Sequence, residues 1–119
     1  MIVVGNVTLV AVVVVCTYEP VLVPVVARAN PRLRVLVTAP AAYAGRVGTQ
    51  ANVEFAPLER YEADAYSRFA PRYVHAAMQP VAWARNTLLR WLVHAARLRD
   101  AGLPPHAGVV AMDGDVMVF

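Results

Sequence analysis

Asp113-Gly114-Asp115 is the segment of this sequence with the most evident chemistry. Two carboxylates one residue apart at a strand end point to one side of the backbone. A glycine between them lets a bulky ligand approach closely. Two acids closing an apolar run are costly unless they are exposed or paired with a cation. Such a pair can hold Mg²⁺ or Mn²⁺, hard ions that also take phosphate oxygens and water. The same triplet is also an ordinary turn sequence, and that alternative stays open. An EF-hand loop does not fit, because it needs further ligands, a glycine at its sixth position and a closing glutamate, and Val116 to Phe119 supplies neither. An aspartate-nucleophile phosphatase would need the rest of its domain after the motif.

Other side chains with chemical capacity are fewer. Thr17, Tyr18 and Glu19 follow the first long apolar run. Arg90 and His94 lie one turn apart in a helical pattern and read as part of a solvated polar stripe with Asn86 and Arg97. His75 reads as a structural hydrogen-bonding residue. Trp83 and Trp91 read as core rather than as sugar-stacking platforms. Cys16, the single cysteine, has no intrachain disulfide partner and reads as a small buried hydrophobe.

The elements that hold these residues follow from periodicity. Val7 to Cys16 is continuously apolar and valine-rich, which predicts a strand buried on both faces. A membrane anchor or signal sequence is the alternative, but Glu19, Pro20 and Pro24 interrupt the run and no basic residue precedes it. Pro20 opens a short helix over 21–29, which Asn30 and Pro31 stop. Leu33 to Thr38 and Asn52 to Phe55 read as short strands, and Tyr43 to Gln50 as a loop or frayed helix. Leu58 to Phe69 has helical spacing. Val81 to Arg99 predicts a long helix packing by Leu88, Leu92 and Ala95, with Val81, Ala84, Trp91 and Leu98 on the same face. Gly102, Pro104 and Pro105 end it. Gly108 to Met112 is a last buried strand. Strands alternating with helices predict an α/β, Rossmann-like, mostly parallel sheet with flanking helices. Ligands bind such sheets beyond the carboxyl ends of the strands. This directs attention to Thr17 to Glu19, Thr38 and Asp113 to Asp115.

Composition agrees with one apolar domain over residues 1–119, since 59% of the residues are hydrophobic. The net charge of +3 comes from arginine alone, for the chain has no lysine. The arginines are scattered rather than gathered with aromatics, which argues against a nucleic-acid polymer as partner.

The order of segments resembles the nucleotide-diphospho-sugar transferases, the GT-A-type glycosyltransferases with an Asp-x-Asp motif. The resemblance rests on VAVVVVCTYEP at 10–20, RLRVLVTAP at 32–40, YVHAAMQPVAWARNTLLRWLVHAARLRDAG at 73–102 and GVVAMDGDVMVF at 108–119. It implies the N-terminal, donor-binding portion of a GT-A domain. It further implies a divalent metal held by Asp113 and Asp115, and a nucleotide-diphosphate sugar against Thr17, Tyr18, Glu19, Arg90, Asp113 and Gly114. A carbohydrate or glycoprotein would be the acceptor. Catalytic groups of the family lie beyond Asp-x-Asp, so the resemblance assigns activity to a longer parent, in which membrane association is possible. For a eukaryotic chain it implies the Golgi or secretory-pathway lumen. The competing reading is a non-catalytic α/β fragment or interaction module in which the acidic triplet is only a turn.

Overall fold

The computed structural model describes residues 2–47, 49–76 and 78–114. Asp115, half of the acidic triplet, lies outside them. The chain opens with a hairpin that the apolar pattern did not reveal. Strand β1 (Ile2–Val4) turns through Gly5-Asn6 into β2 (Val7–Val15), with Val4 opposite Val7. Gly5 adopts φ +59°, a conformation that favours glycine in a two-residue turn.

Beyond the hairpin the sheet is parallel. Helix α1 (Val23–Ala29) follows β2 and carries Pro24 in its first turn. Strand β3 (Arg34–Ala39) then pairs with β2. A 3₁₀ segment, Ala41–Arg46, occupies part of the expected loop and leads to β4 (Val53–Pro57). Helices α2 (Glu59–Phe69) and α3 (Val81–Asp100) precede β5 (Gly108–Met112). Strand β5 runs parallel to β2 on the side away from β3, giving the parallel order β4-β3-β2-β5. The result is an α/β fold whose mixed sheet is mostly parallel.

Burial explains the central place of β2. Ala11 to Val15 are almost wholly buried, so both faces of the strand are covered. Val12, Val14 and Cys16 pack with Val23, Val26 and Ala27 of α1. Ala11 and Val13 meet Leu98, and Val15 meets Leu89 and Val93 of α3. One helix therefore covers one face and two cover the other. Gly108 allows β5 to start against β2 where the register shifts. A Cβ there would lie 2.5 Å from Val7 Cγ1 and 2.9 Å from the Thr8 carbonyl oxygen. Asn52 pins the turn beneath α1 by directing its side-chain amide at the carbonyls of Ala27, Asn30 and Leu33.

The predicted long helix forms, but it is rotated relative to expectation. Leu89 and Val93 face the core, whereas Val81, Leu88, Trp91, Leu92 and Ala95 face outward. His94 and Arg97 are buried rather than solvated. The inner side packs Leu89 and Val93 against Val15, Tyr61 and Ala65, and two polar contacts accompany that packing. Arg90 donates to Asp113, and Arg97 donates to the Glu54 carbonyl at 3.1 Å. Residues 90, 93 and 97 share one helix face, so those bonds accompany the inward position of Val93, and the Leu88 stripe lies on the other side.

Candidate functional site

The path of the chain creates the site. From β2 it proceeds outward through β3 to β4, then crosses back over the sheet to β5 on the opposite side of β2. At such a reversal the two loops leaving the strand ends diverge, opening a crevice beyond the carboxyl ends. Val14 pairs with Met112, so Thr17 and Asp113 follow adjacent strand ends.

The N-terminal half of α3 overhangs this edge. Together with α2 and the end of β2 it encloses a cleft of about 250 Å³. Cys16, Thr17 and Tyr18 form its sheet side, Glu62 comes from α2, and Trp83, Asn86, Thr87 and Arg90 come from α3. Of the residues expected at a site, Thr17, Tyr18 and Arg90 thus share one cavity. Arg90 Nη1 lies 2.7 Å from Asp113 Oδ1, joining the end of β5 to the same cleft. Both side chains keep substantial solvent contact, so the pair contributes about 0–1 kcal/mol to stability. Its bond is therefore readily exchanged for another.

The remaining expected residues are placed differently. Glu19 reaches Arg46, 3.5 Å away, rather than lining the cleft. Gly114 is buried, and a Cβ there would lie 3.0 Å from Pro20 and 3.3 Å from Cys16 Sγ. The need for glycine is thus met by internal packing. Its carbonyl accepts the Leu22 N–H at 3.2 Å, fastening the end of β5 to the start of α1. Cys16 Sγ donates to the Tyr18 carbonyl at 3.2 Å and shapes the loop from β2. Thr38 is fully buried beside Val15, and its hydroxyl has no hydrogen-bond partner among the described residues.

The aromatic and imidazole expectations also change. Trp83 is 56% exposed and lines the cleft, and Trp91 is exposed on the outer surface, so neither is core. Their helical spacing alone could not tell a cleft wall from a core face. His75 accepts or donates a 2.7 Å hydrogen bond with the Tyr73 hydroxyl, a structural contact as expected. His94 sits inside, its ring 5.3 Å from that of Trp91. Burial and the neighbouring Arg90 guanidinium push its pKa down to about 4, against the opposing influence of Asp113. The imidazole is therefore neutral near pH 7.

Glu62 and Thr87 entered the site without a sequence signal, and Asn86 with no more than its place on the polar stripe of α3. They come from two helices whose relative placement depends on the crossover. Among the described residues, no three His, Cys, Asp or Glu side chains gather as a metal centre. Asp113 offers the chemistry of a single hard-ion ligand, with a guanidinium cation already against one oxygen. Compared with known proteins, the chain matches no family model, no curated protein and no solved structure.

Proposed function

We propose that this chain is the donor-binding portion of a metal-dependent GT-A-type glycosyltransferase with a Rossmann-like sheet. The observation that carries the reading is the meeting of the Thr17-Tyr18 loop and Arg90 at one cleft beyond the end of β2, with Asp113 bonded to that Arg90. A nucleotide-diphosphate sugar needs a flat surface for its base, hydrogen-bonding groups for its ribose and cationic charge for its diphosphate. Tyr18 and Trp83 supply flat faces, Thr17 and Asn86 supply polar groups, and Arg90 supplies charge.

Asp113, with Asp115 as the second member of the motif, would hold the divalent ion. When bound, Mn²⁺ or Mg²⁺ supplies Lewis-acid neutralisation of the departing nucleoside diphosphate. Arg90 has a distinct task in this reading. With a phosphate oxygen available, the guanidinium can exchange Asp113 for the donor and free that carboxylate for the cation. The acceptor in this reading is a carbohydrate or glycoprotein hydroxyl.

A second reading, a non-catalytic module with an ion-paired turn, draws on the same Arg90–Asp113 contact and on the packing of Gly114 against Pro20. Calorimetric titration with uridine and guanosine diphosphates, each with and without Mn²⁺, separates the two. The glycosyltransferase reading expects Mn²⁺ and one of the nucleotides to strengthen each other's binding. Asp113→Ala should abolish that coupling. Absence of Mn²⁺-dependent nucleotide binding in the wild type would reject the proposed site.

A further inference from the structure

Helix α3 has more apolar side chains than its inner contacts use. Val81, Leu88, Trp91 and Leu92 are between 39% and 55% exposed on its outer side, and Met78 just before the helix is fully exposed. A helix that is apolar on both sides has a second apolar surface to satisfy. The charge around this surface is mainly positive. Between Asp64 and Asp100 the chain has six arginines and no acidic residue. Arg90 and Arg97 turn inward to Asp113 and the Glu54 carbonyl. Arg68 and Arg99 of this stretch, together with Arg60 earlier in α2, border a groove of about 140 Å³ between α2 and α3, beside Leu92 and Ala95. Two carboxylates stand beside these three arginines, Asp64 at 3.3 Å from Arg68 and Asp100 at 2.7 Å from the Tyr61 hydroxyl.

We infer that the outer side of α3 docks in the plane of an anionic lipid bilayer. Leu88, Trp91 and Leu92 enter the boundary between headgroups and acyl chains, and Arg60, Arg68 and Arg99 meet the lipid phosphates. The chemistry favours this occupant over two others. A second copy would bring two arginine-bordered faces together, and like charges oppose that contact. A purely apolar protein surface would offer the bordering arginines no anionic group of its own. An anionic bilayer takes both components, since tryptophan favours the interface and arginine favours anionic headgroups. No helix among the described residues is long and apolar enough to cross a membrane, so the contact is an in-plane one. This inference is independent of the proposed donor site.

Vesicle co-sedimentation tests it, using phosphatidylcholine alone and phosphatidylcholine mixed with phosphatidylglycerol. A Trp83→Phe background assigns the fluorescence to Trp91. Binding to the anionic vesicles should be at least about tenfold tighter and should shift Trp91 emission to the blue. The double variant Leu88→Ser/Leu92→Ser should lose about tenfold in binding while still unfolding cooperatively. The triple variant Arg60→Gln/Arg68→Gln/Arg99→Gln should lose the preference for anionic lipid. Equal affinity for both vesicles would overturn the inference, as would unchanged binding by the Leu88→Ser/Leu92→Ser variant. A lipid-free dimer that shields Trp91 would assign the face to a second copy. Polyglutamate binding that survives the loss of Leu88 and Leu92, without vesicle binding, would assign it to an acidic protein surface.

Discussion

The inner and outer sides of α3 carry similar side chains and meet opposite fates. Leu89 and Val93 lie under the sheet, 6% and 2% exposed, while Leu88 and Leu92 one position earlier remain in solvent. Hydropathy does not separate the two pairs. The difference comes from what stands between them. Arg90, His94 and Arg97 interleave with the inner pair, and two of these three have specific acceptors on the sheet. The stripe that became core is thus the one whose polar neighbours find partners at the sheet side. The same orientation of α3 brings Arg90 to Asp113 beside the cleft.

The sharpest way to break this comparison is to truncate one leucine on each side. Leu89→Ala should cost about 2–5 kcal/mol, the usual range for a buried leucine. Leu92→Ala should cost less than about 1 kcal/mol, because its side chain is already partly in water. Denaturant unfolding of both variants measures the difference. Equal losses would mean that both sides are buried in solution.

Protonation probes the inner side with a smaller effect. The folded pKa of His94 lies below its ordinary 6.5, at about 4. As pH falls, the unfolded chain therefore takes up this proton first. The stability contributed by the neutral imidazole is intact above pH 6.5 and is lost progressively between 6.5 and about 4. The loss should be on the order of 1–3 kcal/mol. His94→Phe should flatten that part of the stability profile. A variant whose profile parallels the wild type would place the imidazole in solvent.

The smallest expected change in stability distinguishes anchoring from binding. Arg90→Gln should alter the unfolding free energy by less than about 1 kcal/mol, because its ion pair is partly exposed. In the proposed function it should nevertheless weaken nucleoside diphosphate binding about tenfold, through loss of a charge-assisted contact. Calorimetry and unfolding on one sample check both. A loss of several kcal/mol in stability with unchanged nucleotide binding would make Arg90 purely structural.

Much of the local structure was legible in the residues themselves. Valine repetition identified β2, apolar runs identified β3 and β5, and proline and asparagine marked the limits of α1. These signals are local, because strand and helix preferences act within a few residues. The Gly5-Asn6 turn carried a comparable local signal for the opening hairpin, but the long valine run that follows it obscured the short β1. The carboxyl-end placement of Thr17, Tyr18 and Asp113 was also legible, since parallel strands separated by helices share a direction.

Tertiary structure alone decided the rest. The pairing of β5 with β2 determined that Asp113 and Thr17 follow neighbouring strand ends. The rotation of α3 determined that Trp83 lines a cleft, that His94 is buried and that Leu88 and Trp91 are not. Gly114 owes its small size to Pro20 and Cys16, residues far from it in the chain. A helical repeat specifies which side chains lie on a common side of the helix. It does not specify which side faces the sheet when two are apolar, because that choice depends on partners such as Val15, Asp113 and the Glu54 carbonyl that only the folded chain brings within reach.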